Sequence, residues 1–283
     1  MPTSTLTYRR ILIFWLPLAG TWVMMSVEGP FLAAIIARLD APEINLAAFA
    51  VAFAFAIVIE SPVMMLLSAS TALVEDRESY LALRRFAYGL SGLLTLVQLL
   101  ILMPPVFDLL VAGLSVPDEV ARLAHGGLAL MLPWTAAIGY RRFRQGLLIR
   151  DGLTRRVAYG TIVRLVSMSM AAFAAYRLSE LPGVYIAALS LSVGVVLEAL
   201  ASRAMTAGPL ARVLERHRDP GRLASLRVSA LLRFYTPLAL ASLLALASQP
   251  MVTFFMGQSR FALESLAVLP VIHGLTFFFR SLG

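Results

Sequence analysis

The chain has 283 residues, of which 59% are hydrophobic and 14% are charged, and its mean hydropathy is +0.82. A soluble domain carries about 25% charged residues, so this composition excludes a soluble globular protein. The formal net charge of +8 comes from arginine alone because lysine is absent, and the lack of cysteine excludes disulfides and thiolate metal sites.

Eight apolar segments with helical periodicity approach or exceed the ~20 residues that a helix needs to cross a bilayer. They lie at about 11–36, 46–73, 85–103, 120–140, 157–176, 181–200, 231–256 and 262–280. The sequence therefore predicts an all-α integral membrane protein, a polytopic bundle of about eight transmembrane helices embedded in a lipid bilayer.

The arginines are distributed unevenly between the loops that join these segments. With the N-terminus inside, nineteen arginines fall on the cytoplasmic side and only four outside, namely Arg38, Arg122, Arg177 and Arg260. This asymmetry follows the positive-inside rule and predicts a plasma (inner) membrane protein with both termini cytoplasmic. It also explains the net charge without a nucleic-acid partner. Arg141, Arg142 and Arg144 are interpreted as topogenic residues of a cytoplasmic loop, with phosphate binding as the alternative.

An internal repeat indicates how the chain is organised. Residues 11–63 align without gaps on 231–283, with ten identities in 53 positions that include a Pro-Leu-Ala cluster. We expect a first six-helix repeat at 1–205, a cytoplasmic linker at 206–230 and the first two helices of a second, parallel repeat at 231–283. Part of the linker is expected to form a helix on the inner membrane face.

Four prolines lie at matching places in the two copies: Pro17 with Pro237, and Pro30 with Pro250. Proline inside a helix removes a backbone hydrogen bond, and in a membrane this is tolerated where neighbours or a wet cavity satisfy the freed carbonyl. Helix breaks at equivalent places of two repeats indicate a binding site. Simple packing kinks are the alternative interpretation.

Two carboxylates lie inside the predicted membrane segments. Glu28 precedes Gly29-Pro30 in the first segment, and Glu60 precedes Ser61-Pro62 in the second. A charge at mid-bilayer costs at least about 2.5–3.5 kcal/mol, so it normally faces a partner or a wet cavity. Because a short loop joins the two segments, we expect the carboxylates to be neighbours that share H⁺ or Na⁺. The alternative is a protonated carboxyl hydrogen-bonded across a helix interface.

Arg164 and His273 are the cationic counterparts of these carboxylates. Arg164 is a candidate contact for an anionic substrate because its planar guanidinium stays charged, and an ion pair with Glu198 is the structural alternative. Histidine titrates in the physiological range, which makes His273 a candidate on the second repeat, with packing as the alternative. No metal site, cofactor fingerprint or soluble-enzyme motif is expected.

Several short stretches resemble a known group of transporters. Residues 144–155 are similar to the connection between helices 4 and 5 in the MOP flippase superfamily, which includes the MATE exporters. More narrowly, residues 16–18, the spacing from Glu28 to Arg38 and residues 60–62 resemble the progressive ankylosis protein family, which also has a glutamate at the place of Glu28. The resemblance implies two six-helix lobes and export of organic anions such as citrate, nucleotides or pyrophosphate. By that plan, this chain lacks about four helices.

The sequence thus predicts a secondary-active transporter, an exporter, flippase or antiporter that moves an organic anion or amphiphile by alternating access with H⁺ or Na⁺ coupling. One alternative is a polytopic membrane enzyme on a lipid-linked substrate, with Glu28, Glu60 and Arg164 as its polar centre. Another is a non-functional fragment of a transporter. The repeat favours transport because two related halves can rock about one site.

Overall fold

The computed structural model describes residues 7–113, 116–216 and 228–280, and its regular structure in these ranges is entirely helical. The helices up to the end of the fifth predicted segment are α1 (Tyr8–Ser26), α2 (Glu28–Ile36), α3 (Pro42–Met64), α4 (Leu66–Leu73), α5 (Arg77–Ile101), α6 (Pro104–Val111), α7 (Asp118–Leu130), α8 (Leu132–Arg150) and α9 (Thr154–Leu178). The remaining helices are α10 (Gly183–Met205), α11 (Ala207–Glu215), α12 (Val228–Gly257) and α13 (Ala262–Arg280). The predicted all-α fold is confirmed.

Five helical stretches of the described ranges are long and apolar enough to cross a membrane: Ile11–Ile36, Pro42–Leu73, α9, α10 and α12. The pair α5–α6, which bends by 79°, adds a sixth if it is counted as one span. The apolar part of α13, Ala262–Phe277, is shorter, and the predicted segment 120–140 corresponds to α7 and the first half of the arginine-bearing α8. The sequence count of eight therefore exceeds the five or six spans that length and hydropathy support.

Local sequence sets where several helices begin. The backbone N–H of Ser79 donates to Asp76 Oδ1 at 2.8 Å, and the N–H of Asp76 donates to Ser79 Oγ at 3.0 Å. This reciprocal capping box starts α5 at Arg77, eight residues before the predicted segment. Two prolines occupy the first turn of α6, where no intrahelical donor is needed.

The predicted helix in the linker is α11, which is amphipathic and covers the first part of that region. Its Arg212 pairs with Asp151 in the turn between α8 and α9, so α11 is fastened to this end of the bundle. Residues 217–227, the middle of the predicted linker, and Ser281, which belongs to the predicted repeat, lie outside the described residues.

The prolines occupy two kinds of position. Pro17 lies inside α1, and Pro237 and Pro250 lie inside α12, and both helices continue through them. Pro30 lies in the first turn of α2, just after the interruption at Val27 that separates α2 from α1.

The central helix of the molecule is α3. It packs against α7, α8 and α10 within the first group of helices, which we define as α1–α10, and against α12 and α13, the second group. The groups also meet where α13 crosses α2, because Gly274 leaves room for the ring of Pro30 that any Cβ would occupy. The second group is therefore held to the first mainly by α2 and α3, the helices that carry Glu28 and Glu60.

Candidate functional site

A cavity of about 200 Å³ lies between the two groups of helices. Its walls come from α1, α2, α3, α8, α9 and α10 on one side and from α12 and α13 on the other. Much of the wall is apolar and aromatic, with Trp22, Phe49, Phe53, Trp134 and Phe277 among its side chains. An apolar pocket with a few convergent polar groups is the usual form of a small-molecule site.

The carboxylates and guanidiniums of this wall belong to a cluster of buried charges. Glu28 accepts from Arg164 at 2.5 Å, and both side chains are more than nine-tenths buried. Glu198 Oε2 accepts from Arg141 Nη1 at 2.7 Å and lies 4.0 Å from Arg164 Nη1. Gln145 Nε2 donates to the other oxygen of Glu198 at 3.1 Å. These ion pairs connect α2, α8, α9 and α10, and we call Glu28, Arg164, Glu198 and Arg141 the closed half of the cluster.

Burial makes the closed half energetically important. Arg141 is 1% exposed and Glu198 is fully buried, so each charge is removed from water and depends on its partner. Breaking a buried ion pair by removing one partner costs about 3–5 kcal/mol, because the remaining charge is left uncompensated. The stability of the first group of helices therefore depends on these ion pairs.

Glu60 and Arg142 form the open half of the cluster. Arg142 is 7% exposed, and its Nε and Nη2 have no hydrogen-bond partner among the described residues. The same holds for Oε2 of Glu60. Arg142 exerts the strongest electrostatic attraction on Glu60, yet no ion pair within 4.0 Å joins them in the described part of the chain. Glu60 and Arg142 are thus buried opposite charges that attract each other without forming an ion pair within 4.0 Å in the described part of the chain.

The position of these arginines corrects the interpretation of residues 141–144 as a loop. The helix does not end at 140, because α8 continues to Arg150 and carries Arg141, Arg142 and Arg144 into the bundle. Arg144 donates to Thr206 Oγ1 at 3.1 Å and lies 5.1 Å from the ring of Tyr140. The helix α4 packs closely against this part of α8, where Ser70 Oγ donates to the carbonyl of Phe143 at 2.9 Å.

The carbonyls just after Glu60 are bonded by the second group. Pro62 cannot donate to the carbonyl of Val58, which accepts from Ser61 Oγ at 2.8 Å instead. Because α3 ends at Met64, the carbonyls of Ser61 and Pro62 are available to hydroxyls of α12. Ser242 Oγ donates to the first at 2.8 Å, and Tyr235 Oη donates to the second. The helix carrying Glu60 is therefore hydrogen-bonded directly to the second group.

Four residues singled out from the sequence line this one cavity: Glu28, Glu60, Arg164 and His273. The predicted ion pair of Arg164 with Glu198 has a counterpart in the geometry, since the two side chains lie 4.0 Å apart, but Arg164 is bonded more closely to Glu28. Its contact with an anionic substrate stays a prediction. The cavity lining does not include the four prolines of the predicted repeat, Pro17, Pro30, Pro237 and Pro250. It does include Gly29, beside Pro30, and Gln249, beside Pro250.

Sequence reasoning missed Arg141, Arg142 and Gln145 as members of the site. The spacing of Arg141 and Gln145 was the available signal, because residues four apart share one helix face and both contact Glu198. Trp22 was missed as well; its ring lies 6.0 Å from the guanidinium of Arg142.

The fold, unlike the sequence, has known counterparts. No protein-family model matches the sequence, and no curated protein matches it either. The structure superposes on the crystal structure of MATE in the bent conformation with a TM-score of 0.67 and 15% identity, covering 96% of this chain and 63% of that chain. The fold is MATE-like.

A second solved chain, named protein A, matches with a TM-score of 0.68 and 12% identity over 99% of this chain and 63% of its own length. The chain thus spans less than two thirds of the MATE-like structures that it matches. At such identities the likeness shows the fold alone.

Proposed function

We propose that this chain is a secondary-active transporter that moves an organic anion or amphiphile by alternating access, coupled to H⁺ or Na⁺. It would do so in the plasma (inner) membrane with both ends cytoplasmic, as the arginine distribution indicates. The single observation that carries the proposal is the cavity between the two groups of helices, which Glu28 and Glu60 both line within a MATE-like fold.

The two carboxylates are the proposed coupling residues. Acidic side chains are rare inside membranes and usually mark ion or proton pathways. Glu28 and Glu60 lie on α2 and α3, the helices that mainly hold the second group, so a cation bound there would act directly at the surface along which the groups would move.

Arg164 and His273 are the proposed substrate contacts, one on each group of helices. Arg164 is bonded to Glu28, so it becomes available to a substrate anion only when a cation neutralises that carboxylate. His273 lines the opposite wall. An anion bound between them would bridge the groups, and its binding would bias their relative position.

Proton movement across a vesicle membrane tests the proposal. The full chain is reconstituted into liposomes that enclose a pH-sensitive dye, and membrane-impermeant anions such as citrate, pyrophosphate and benzenesulfonate are added outside. We expect at least one anion to drive a change of internal pH. Glu28→Gln and Glu60→Gln should abolish it, because an amide cannot take up a proton.

Glu43→Gln is the matched control, since Glu43 is an exposed carboxylate in the first turn of α3, the helix that carries Glu60. The control should behave as wild type. Wild-type proton movement in both Glu28→Gln and Glu60→Gln would show that these carboxylates are structural. If no anion drives a pH change in vesicles that contain correctly inserted wild-type protein, H⁺-coupled transport of these anions by this chain is refuted.

A further inference from the structure

The open half of the cluster has the form of an incomplete anion site. Nε and Nη2 of Arg142 lie on the same edge of the guanidinium, and both lack a partner in the described part of the chain. This edge binds two oxygens of one carboxylate, phosphate or sulfonate group side by side. A guanidinium that is 7% exposed and unpaired is costly, because buried charges are stable only when they are paired.

Arg142 is not among the residues that line the cavity, but two of its neighbours are. Its guanidinium lies over the ring of Trp22, 6.0 Å from the centroid, and both Trp22 and Glu60, whose strongest attraction is to Arg142, line the cavity. Trp22 is 43% exposed, so its side chain is not packed on all sides. The inference requires that Trp22 move, so that an anionic group in the cavity reaches Arg142.

The charges of the cluster determine when such an anion fits. Three carboxylates (Glu28, Glu60, Glu198) and three guanidiniums (Arg141, Arg142, Arg164) give −3 + 3 = 0 when all are ionised. One proton on Glu60 changes the sum to +1 and leaves Arg142 as the surplus cation. A protonated carboxyl also donates a hydrogen bond, whereas a carboxylate only accepts and would repel the anion.

We propose that Arg142 is a further anion-binding residue beside this cavity, in addition to Arg164 and His273, and that a compact monoanion with an apolar body binds there together with one proton on Glu60. The inference rests on the proposed transport function where it treats this monoanion as the cargo. Proton and anion then cross in the same direction, so an inward proton gradient drives uptake of the anion rather than exchange.

The cavity limits the size of the apolar body. Its volume is about 200 Å³, and several aromatic side chains are part of its wall. An apolar cavity of about 150 Å³ holds one benzene molecule. An aromatic ring bearing a single anionic group therefore matches both the volume and the charge of the site.

Other titratable groups surround Glu60, and the test has to separate them from it. The charged or titratable side chains of the cluster and the cavity are Glu28 on α2, Arg141 and Arg142 on α8, Arg164 on α9, Glu198 on α10, Tyr235 on α12 and His273 on α13. Of the other elements packed on α3, α4 has no titratable side chain, α5 presents Arg85 to a separate groove, and His125 of α7 bonds to the carbonyl of Leu102. His273 is the group whose protonation would imitate the proposed effect.

Benzenesulfonate is the probe because its single charge does not change between pH 5 and 8. Its binding to the purified full chain in detergent is measured by calorimetry, with neutral benzenesulfonamide as the comparison ligand. We expect benzenesulfonate to bind at low pH and benzenesulfonamide to bind much more weakly. Above the pH at which Glu60 ionises, the affinity should fall by about tenfold per pH unit, as linkage to one proton requires.

Four variants separate the contributions of Glu60, Arg142 and His273 to binding. Glu60→Gln should bind benzenesulfonate with an affinity that no longer depends on pH, since the amide donates as the protonated carboxyl does. Arg142→Gln should lose binding at every pH, and Arg142→Lys should bind weakly because it lacks the planar fork. His273→Gln should keep the pH slope. Arg144→Gln, an equally buried arginine of α8 outside the site, is the control and should bind as wild type.

Binding by Arg142→Gln or Arg142→Lys equal to wild type would overturn the inference. A wild-type affinity that is independent of pH or rises with pH would also overturn it. So would a pH slope that disappears in His273→Gln but persists in Glu60→Gln. Gel filtration checks that each variant is folded. Calorimetry measures binding without transport, so the two proposals can fail separately. Binding that depends on pH without proton movement in vesicles would refute the proposed function alone. Proton movement without a role for Arg142 would refute this inference alone.

Discussion

The closed and open halves of the charge cluster lie within one bundle, yet they satisfy their charges differently. In the closed half, Glu28 and Glu198 accept from Arg164 and Arg141 at 2.5 and 2.7 Å. In the open half, Glu60 and Arg142 are equally buried but unbonded to each other. Burial alone therefore does not distinguish the bonded charges from the unbonded ones, and we expect the two kinds to respond differently to substitution.

The difference also follows the architecture. The pair of Arg141 and Glu198 joins α8 to α10 inside the first group of helices, so it belongs to the packing of that group. Glu60 lies on α3, which faces the second group. We expect substitutions of Arg141 and Glu198 to change mainly stability and those in the open half to change mainly function. Glu28 and Arg164 are ion-paired and also line the cavity, so their substitution should change both.

The largest effect on stability is expected from Glu198→Ala. It removes the acceptor of both Arg141 and Gln145 and leaves a buried guanidinium uncompensated. The free energy of unfolding, measured by titration with a denaturing detergent, should fall by about 3–5 kcal/mol. Arg212→Ala breaks the exposed pair with Asp151 and serves as the control, with an expected loss below about 1 kcal/mol. Equal losses in the two variants would contradict the distinction.

A smaller effect is expected where the two groups of helices meet. Ser242→Ala removes the hydroxyl that bonds to the carbonyl of Ser61, and the same titration should show a loss of about 1 kcal/mol. Ser248→Ala is the control on the same helix, because its exposed hydroxyl bonds only to the carbonyl of Ala245. If Ser242→Ala costs no more than the control, the contact between α3 and α12 does not hold the groups together.

The smallest effect on stability is expected from Glu60→Gln. Oε2 of Glu60 has no partner in the described ranges, so the amide removes a buried charge without breaking a bond to that oxygen. The free energy of unfolding should change by less than about 1 kcal/mol, while proton movement in vesicles is lost. A loss comparable to that of Glu198→Ala would show that Glu60 belongs to the structural network.

The sequence predicts the membrane class and the residues of the cavity for one physical reason. Charges and prolines are costly in hydrocarbon, so Glu28, Glu60, Arg164 and His273 stand out from an apolar background, and all four line the same cavity. The pairing could not be predicted, because Arg164 meets a glutamate 136 residues earlier and Arg141 meets one 57 residues later. Such partners are fixed by tertiary packing.

The prediction for Arg141, Arg142 and Arg144 failed for a related reason. A run of arginines after an apolar segment is typical of a cytoplasmic loop, and nothing local shows that α8 continues to Arg150. Burial of these side chains depends on Glu198, Thr206 and the surrounding helices, which lie far away in the sequence. The correspondence of residues 11–63 with 231–283 stays a prediction.

Alternating access is tested most directly by distances between the two groups of helices. The chain contains no cysteine, so pairs of introduced cysteines can carry spin labels without background. Gly89 and Leu232 line a groove between α5 and α12 near one end of α12. Leu109 on α6 and Phe261 after α12 are exposed near its other end.

The distances between the labels at Gly89 and Leu232 and between the labels at Leu109 and Phe261 are measured by electron spin resonance in lipid nanodiscs. The two conditions are pH 5 with benzenesulfonate and pH 8 without it. Rocking of the second group against the first predicts that one distance lengthens while the other shortens, and that Glu60→Gln holds both at the pH 5 values with the anion present. Two distances that stay constant under all conditions, or that change in the same direction, would contradict alternating access about this cavity.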